Sequence, residues 1–580
     1  MHPNTMRVAR CAPSHGLGLA TRRCSAICVQ TLACVAVLGT ASAAFGQSVV
    51  GTEHLQLLVG SVCSGGSGCE RLPTGAEGDA PSFYGTDLGF SYVHDGQLRW
   101  VFGDTWYLRE QMCWDSAWTN DVHDDVLGWI DLASRPDGDS VEMLGAPPLI
   151  MNRDPAYPNG PPGITLVKAN GQVVSGRPGQ TPAAAFSTGT DPWMVFRGEA
   201  AACRFDFQCP GDASCLVNNI WWSLPCWGQS DCVCVDKDSP NYGSGSFAGA
   251  VLFNMELGVP DGSSPEHHAV VHTWPTSRFS APVIRTVRGF DPTAKQVADP
   301  RPAEGVVTGS EKLFVWGRPG FGGAQFWNRD AKLYLAYVEL SSLSPAETAH
   351  FQPKFFAGKN LRGVPQWSYD EADAKPLNLS GGLFDPTEEA LDVTNWNSIS
   401  WVEPLQRWVM LYGGDLPDFV LLLTGGNRAV TPDGIGIYAR FAEQPWGPWS
   451  PPQLVVKQAE LYGPDSAYGS EALLWSDTST GIETDPYRWK FLVGDNTDTC
   501  YQPNASQWLA GDLCEEPCMR CQEPCGLLGQ PADPGKLYAP NIIEQWTEAR
   551  PNGEADIYWN VSTWNPYQVQ LLRTRLRAPW

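Results

Sequence analysis

The stretch Gly85-Thr86-Asp87-Leu88-Gly89-Phe90-Ser91-Tyr92-Val93-His94-Asp95-Gly96-Gln97-Leu98-Arg99-Trp100-Val101-Phe102-Gly103-Asp104-Thr105-Trp106 decides how this chain is read. Asp-Gly between two runs rich in β-branched and aromatic residues is the strongest short-range signal of a two-residue hairpin. With Asp95 and Gly96 as the turn, His94 faces Gln97, and every cross-strand pair has residue numbers summing to 191. That rule sets Asp87 opposite Asp104. Directly opposed residues share a face with Cβ atoms about 4.5–5.5 Å apart. Two like charges so placed destabilise the hairpin, and a carboxylate pair whose proximity splits its pKa values is the functional reason for such an arrangement. The bland alternatives are two solvated strand-end aspartates, or a turn elsewhere.

Outward from this hairpin, apolar-aromatic runs ending in glycine recur at 98–103, 192–198, 312–317, 407–413 and 488–494. Their glycines fall 95, 119, 96 and 81 residues apart. A further strand and a turn precede most of them, at 89–93, 183–187, 398–402 and 471–475. Strands also follow at 333–340, 434–440, 556–561 and 569–576. Only 344–349 reads as a short helix, and Gly and Pro punctuate the rest. Radial repetition of small antiparallel sheets is a β-propeller. The expected fold is all-β, a five-bladed β-propeller with disulfide-stapled loop insertions at about 199–245 and 498–535. A β-sandwich with long loops is the rival. In a propeller the first strands of the blades begin at one mouth, here at Asp87, Thr181, Glu304, Asn397 and Glu471. The second strands return to it at Asp104, Arg197 with Glu199, Arg318, Asp415 and Asp495.

Residues 1–46 read as an export signal, with Arg7, Arg10, Arg22 and Arg23 before a short apolar run and a small-residue cleavage site. The mature chain, 47–580, is then a single secreted domain, expected as a monomer. Losing those arginines takes the formal charge from −24 to −28. Such acidity disfavours nucleic acid and anionic membrane surfaces as partners. The 25 tryptophans and 17 tyrosines suit a cleft in which flat rings lie on sugar faces, although any one of them is more readily a strand residue packed between sheets. Of 18 cysteines, four lie in the signal. The remaining even number, clustered in loop-like text, predicts disulfides within each cluster. The spacing of Cys514, Cys518, Cys521 and Cys525 keeps zinc as the alternative there.

The chain also resembles a family of secreted bacterial five-bladed β-propellers, formerly a domain of unknown function, with endo-D-arabinofuranosidase (endo-D-arabinanase) members. The resemblance rests on Gly85-Thr86-Asp87-Leu88-Gly89, Phe102-Gly103-Asp104-Thr105, Gly317-Arg318-Pro319, Trp408-Val409-Met410-Leu411-Tyr412, Gly447-Pro448-Trp449-Ser450, Tyr538-Ala539-Pro540 and Ser562-Thr563-Trp564-Asn565-Pro566-Tyr567-Gln568-Val569. It spans about residues 80–577. The resemblance implies a glycoside hydrolase whose catalytic aspartates are Asp87 and Asp104. The two cysteine-rich insertions depart from the family pattern and border the mouth.

These readings converge on a secreted glycoside hydrolase acting on a furanose-containing polysaccharide such as D-arabinan or another cell-wall glycan. Carboxyl groups about 5–5.5 Å apart imply a retaining double displacement, and inversion needs about 6.5–9.5 Å. Directly opposed hairpin residues fall in the first range, with Asp104 as nucleophile and Asp87 as general acid/base. Arg318, Asn397, Trp564 and Asn565 are the candidate substrate contacts. No cofactor or metal is expected, because two carboxylates alone make a poor calcium site. The GxSxG, HExxH and GKS/T motifs are absent from the sequence. A non-catalytic glycan-binding or surface-interaction propeller is the second reading.

Overall fold

The computed structural model describes residues 48–59, 61–64, 68–71, 85–106, 124–132, 150–151, 165–168, 181–189, 192–199, 202–203, 214–217, 232–235, 247–254, 267–274, 278–279, 282–302, 311–317, 332–343, 352–378, 397–413, 436–457, 537–563 and 568–577. Within them the chain is almost entirely antiparallel β-structure, joined by turns and short 3-10 helices. No described helix is long and apolar enough to cross a membrane.

Five sheets of four or five strands account for most of the described residues. The first orders Gly85–His94, Gln97–Trp106, Asp124–Asp131 and Ile150–Met151. The second orders Thr181–Ser187, Pro192–Glu199, Phe247–Asn254, His267–Trp274 and, joined in parallel, Thr165–Lys168. The third orders Val283–Val287, Lys312–Gly317, Tyr334–Glu339, Lys354–Lys359 and Pro365–Ser368. The fourth orders Asn397–Val402, Arg407–Gly413, Gly436–Ala442 and Gln453–Lys457. The fifth orders Leu537–Arg550, Glu554–Thr563, Gln568–Arg577 and Val49–Val59, so the earliest long strand completes the last sheet.

The leading strands form a cycle. Gly85–His94 lies against Thr181–Ser187, which lies against Val283–Val287, then Asn397–Val402, then Leu537–Arg550, and this last lies against Gly85–His94. Four of the five glycine-terminated runs are the second strands of the first four sheets. The fifth run, 488–494, and the strand at 471–475 lie outside the described residues, as do the 344–349 segment, the signal and the 498–535 insertion. Two expectations are corrected. The third sheet begins with Val283–Val287 and not near Glu304, because 24 residues of connection separate that strand from Lys312. The fifth sheet is led by Leu537–Arg550 and not near Glu471, and Pro540 within that strand breaks the pattern by which a strand is read.

Packing between sheets follows the two-residue period of the strands. In Lys312–Gly317, Leu313 and Val315 join Ala183, Phe186 and Trp193 of the second sheet, while Phe314 and Trp316 join Trp408, Met410 and Tyr412 of the fourth. In Arg407–Gly413, Val409 and Leu411 turn the other way, to Ile542, Ile557 and Trp559 of the fifth. Trp100 and Phe102 meet Trp546 and Tyr558 across the fifth and first sheets. Trp100, Trp193, Trp316 and Trp408 are fully buried, each contributing about 2–3 kcal/mol of transfer free energy.

The composite fifth sheet is locked by charge. Asp556, wholly buried, accepts from Arg550 Nε at 2.7 Å and from Arg575 Nε at 2.8 Å. Arg573 on the neighbouring strand pairs with Glu53, tying the two ends of the fold together. Burial alone would raise the Asp556 carboxyl, but the hydrogen bonds from Arg575 and Arg550 outweigh it and hold it below the ordinary range. A depressed carboxylate stabilises the fold above its unfolded pKa, and that contribution disappears as pH falls through the folded value. Asp556→Asn is expected to cost about 3 kcal/mol at neutral pH. In urea unfolding the gap between variant and parent should close on acidification, and a gap independent of pH would refute the assignment.

Candidate active site

The predicted hairpin forms, with Asp95 at φ 49° and Gly96 at φ 73° in its turn. From His94↔Gln97 to Phe90↔Val101 the partners keep the sum of 191. Gly89 then adds one residue to its strand, and the partners become Leu88↔Phe102 and Asp87↔Gly103. The register therefore sets Asp87 opposite Gly103 and not opposite Asp104, which corrects the sequence arithmetic. The cause is a β-bulge built on two left-handed residues, Leu88 at φ 66° and Gly89 at φ 85°. A Cβ at Gly89 would stand 2.8 Å from Asn560 Nδ2 and 3.1 Å from Phe102 Cε1.

The bulge is held from another sheet. Leu88 N donates to Ser562 Oγ at 2.6 Å, and Asn560 Nδ2 donates to Leu88 O at 3.0 Å. Asp87 is buried, and Tyr538 donates its hydroxyl to Asp87 Oδ2 at 2.8 Å. Gly103 makes the room, since a Cβ there would lie 2.7 Å from Asp87 Oδ1 and 3.3 Å from Pro182 Cδ. Thr86 Oγ1 donates to Gly103 O at 2.9 Å. Asp87 thus sits where the leading strands of the first, second and fifth sheets begin. The sequence pattern gathers such residues at one end, and Asp87, Pro182 and Tyr538 do meet there.

Asn397, the first residue of its leading strand, is buried and faces Tyr412. Asp104 lies in its strand with a side chain outside the described residues, and Arg318, Trp564 and Asn565 lie outside them altogether, as do Glu304, Asp415, Glu471 and Asp495. Strand Pro192–Glu199 runs back towards the Asp87 end, since Arg197 faces Thr181. The three-stranded sheet of Ala202–Cys203, Cys232–Val235 and Ser214–Val217 is inserted just after it, before Phe247–Asn254.

At the other end of the leading strands lies a cavity of about 390 Å³ that sequence reading missed. His94, Ser187, Arg285, Glu544 and Gln545 line it. His94 Nδ1 and Ser187 Oγ are hydrogen-bonded at 2.9 Å, and Arg285 donates to Ser400 Oγ at 3.0 Å and to Ser398 Oγ at 3.3 Å. Burial pushes the Arg285 guanidinium down and Glu544 counters it. A histidine directly before the Asp-Gly turn was the available signal. Arg285 lay hidden in a strand that the pattern did not reveal.

No family model matches the chain, and no curated protein matches it. Among solved structures it is similar to the α-L-arabinofuranosidase of Podospora anserina in complex with cellotriose, at 8% identity over 91% of this chain and 99% of that one, with a TM-score of 0.29. It is similar to a GH62 hydrolase in complex with xylotriose, at 8% identity over 90% and 98%, with a TM-score of 0.32. It is also similar to a Trypanosoma rangeli sialidase in complex with sialic acid, at 7% identity over 91% and 60%, with a TM-score of 0.28. Superpositions this loose carry no argument about activity, so the functional reading rests on the chain itself.

Gly89→Ala is expected to lower stability by more than about 1 kcal/mol, since it meets both a left-handed backbone and a contact too short for a Cβ. Thermal unfolding checks this, and an unchanged midpoint would mean that the bulge is not what sets the register.

Proposed function

We propose that this chain is an exported five-bladed β-propeller glycoside hydrolase that cleaves a furanose-containing polysaccharide such as D-arabinan. The observation that carries the reading is the buried Asp87, oriented by Tyr538 where three leading strands begin. Five sheets with cyclically contacting leading strands support the propeller. The net charge of −24 supports a neutral, not a polyanionic, substrate. The identity of the substrate rests on the family resemblance of the Asp87 and Asp104 motifs.

In this mechanism Asp87 acts as general acid/base and Asp104 as nucleophile. The Tyr538 hydrogen bond fixes the orientation of the Asp87 carboxyl, which proton transfer to a glycosidic oxygen requires. Because the bulge removes direct opposition, the carboxyl separation is not set by cross-strand pairing, and the anomer first released reports the mechanism. Retention would mark closely set carboxyls and a double displacement, inversion a wider pair with an intervening water. Arg318, Asn397, Trp564 and Asn565 are the proposed sugar contacts.

The second reading is a non-catalytic glycan-binding propeller, favoured by the same bulge, since Asp87 faces glycine and not a second carboxylate. The purified protein incubated with arabinans and other cell-wall glycans separates the two. Oligosaccharide release, lost by at least about 100-fold in Asp87→Asn and in Asp104→Asn while thermal unfolding is unchanged, supports the hydrolase. Glycan binding without release supports the binding module. Near-parental turnover in both variants would remove the pair from the mechanism.

A further inference from the structure

Six cysteines fall in the described strands, and each stands directly opposite another cysteine. In the two-stranded sheet Cys63 faces Cys69. In the three-stranded sheet Cys203 faces Cys232 on one side of the central strand Cys232–Val235, and Cys215 faces Cys234 on the other. Directly opposed antiparallel residues have Cα atoms about 4.5–5.5 Å apart, inside the about 4.4–6.8 Å that a disulfide spans. We propose that Cys63–Cys69, Cys203–Cys232 and Cys215–Cys234 are disulfides in the mature protein.

Geometry decides between this and a metal site. Cys232 and Cys234 are two residues apart, so the register puts Cys203, Cys232, Cys234 and Cys215 on one face of the three-stranded sheet. Four thiolates on one face suggest a tetrathiolate zinc centre. Yet Cys203 and Cys215 lie two strands and two residues apart, about 12 Å on a pleated sheet with strands about 4.8 Å apart and a rise of about 3.4 Å per residue. Two thiolates on one zinc can be no more than about 4.6 Å apart, twice a zinc–sulfur bond. A cysteine side chain, two bonds from Cα to sulfur, does not bridge that gap from both ends. Two separate pairs fit the register without moving the backbone.

The chemistry balances pair by pair. Two thiols lose two protons and two electrons as the sulfur–sulfur bond forms through a mixed disulfide, and a protein dithiol oxidant of the export compartment is reduced from its disulfide to its dithiol. Cys63–Cys69 closes a short loop and stabilises modestly through the unfolded chain, whereas Cys203–Cys232 and Cys215–Cys234 close longer loops and stabilise more. These two also make a rigid body of the insertion that follows Glu199 at the Asp87 end. That sheet is too small to carry a core of its own.

The test uses the full chain exported into an oxidising compartment, alkylated without reduction, digested and sequenced by tandem mass spectrometry. The tryptic peptide 198–204, whose one cysteine is Cys203, should stay joined to 205–237 until reduction. The peptide holding Cys63 and Cys69 should be lighter by two hydrogens than its dithiol. Cys203→Ser should then expose Cys232 alone to alkylation, Cys215→Ser should expose Cys234, and Cys63→Ser should expose Cys69. Exposure of Cys215 in Cys203→Ser, alkylation of these cysteines in the unreduced parent, or protection that ends on chelation and not on reduction would overturn the pairing. Stepwise partial reduction of the parent decides the same question if a variant does not fold.

Discussion

Each sheet's second strand must satisfy two neighbours at once, and the rest of the fold depends on that constraint. Residues one apart in Arg407–Gly413 pack into different interfaces, Trp408, Met410 and Tyr412 against the third sheet and Val409 and Leu411 against the fifth. A one-residue slip would exchange the sets and drive tryptophan into a gap shaped for valine. The register of every second strand is therefore determined from both sides, and sheets stacked this way fill the space between them without a shared central core. The edge problem left at the ends of the chain is solved by joining Val49–Val59 to Gln568–Arg577.

Several buried side chains of the leading strands are small. Ser91, Ala183, Ala184, Ala185, Ser398, Ser400 and Asn541 are small and buried, where the second strands carry tryptophan. Close approach leaves polar groups to be satisfied across sheets. Asn541 Nδ2 donates to Ser91 Oγ at 2.8 Å, Ile542 N donates to Ser398 Oγ at 2.9 Å, and Arg285 bridges Ser398 and Ser400. These bonds lie in a poorly hydrated interior, where an unmet partner costs about 1–3 kcal/mol, so they specify which leading strand stands beside which. Apolar contacts alone would not distinguish the order.

What could be read from the sequence divides along the same line. Second strands announce themselves, because Leu313 to Gly317 or Trp408 to Gly413 are long apolar runs closed by glycine. Leading strands are plain where a short turn ties them to such a run, as at 89–93, 183–187 and 398–402. Val283–Val287 was missed because 24 residues separate it from its second strand, and Leu537–Arg550 because Pro540 interrupts it. The hairpin at Asp95-Gly96 was legible, and its register held for five pairs. The bulge was not, because the groups that stabilise it, Asn560 and Ser562, come from the far end of the chain. A local sum cannot contain a partner more than 450 residues away.

That dependence has a consequence for the candidate site. Asp87 owes its position less to its own hairpin than to the fifth sheet, which supplies Tyr538 to its carboxyl and Asn560 and Ser562 to the turn of backbone beside it. The fifth sheet in turn is completed at its outer edge by Val49–Val59 on Gln568–Arg577 and tied by the ion pairs of Asp556. Docking the fifth sheet against the first and setting the backbone beside Asp87 are thus a single event in space. A molecule whose fifth sheet has come away from the first would keep the aromatic interfaces of the other sheets and still lose the geometry around Asp87. Tryptophan burial is therefore a poor gauge of that docking, since the buried tryptophans of the second, third and fourth sheets report on interfaces that its loss leaves intact.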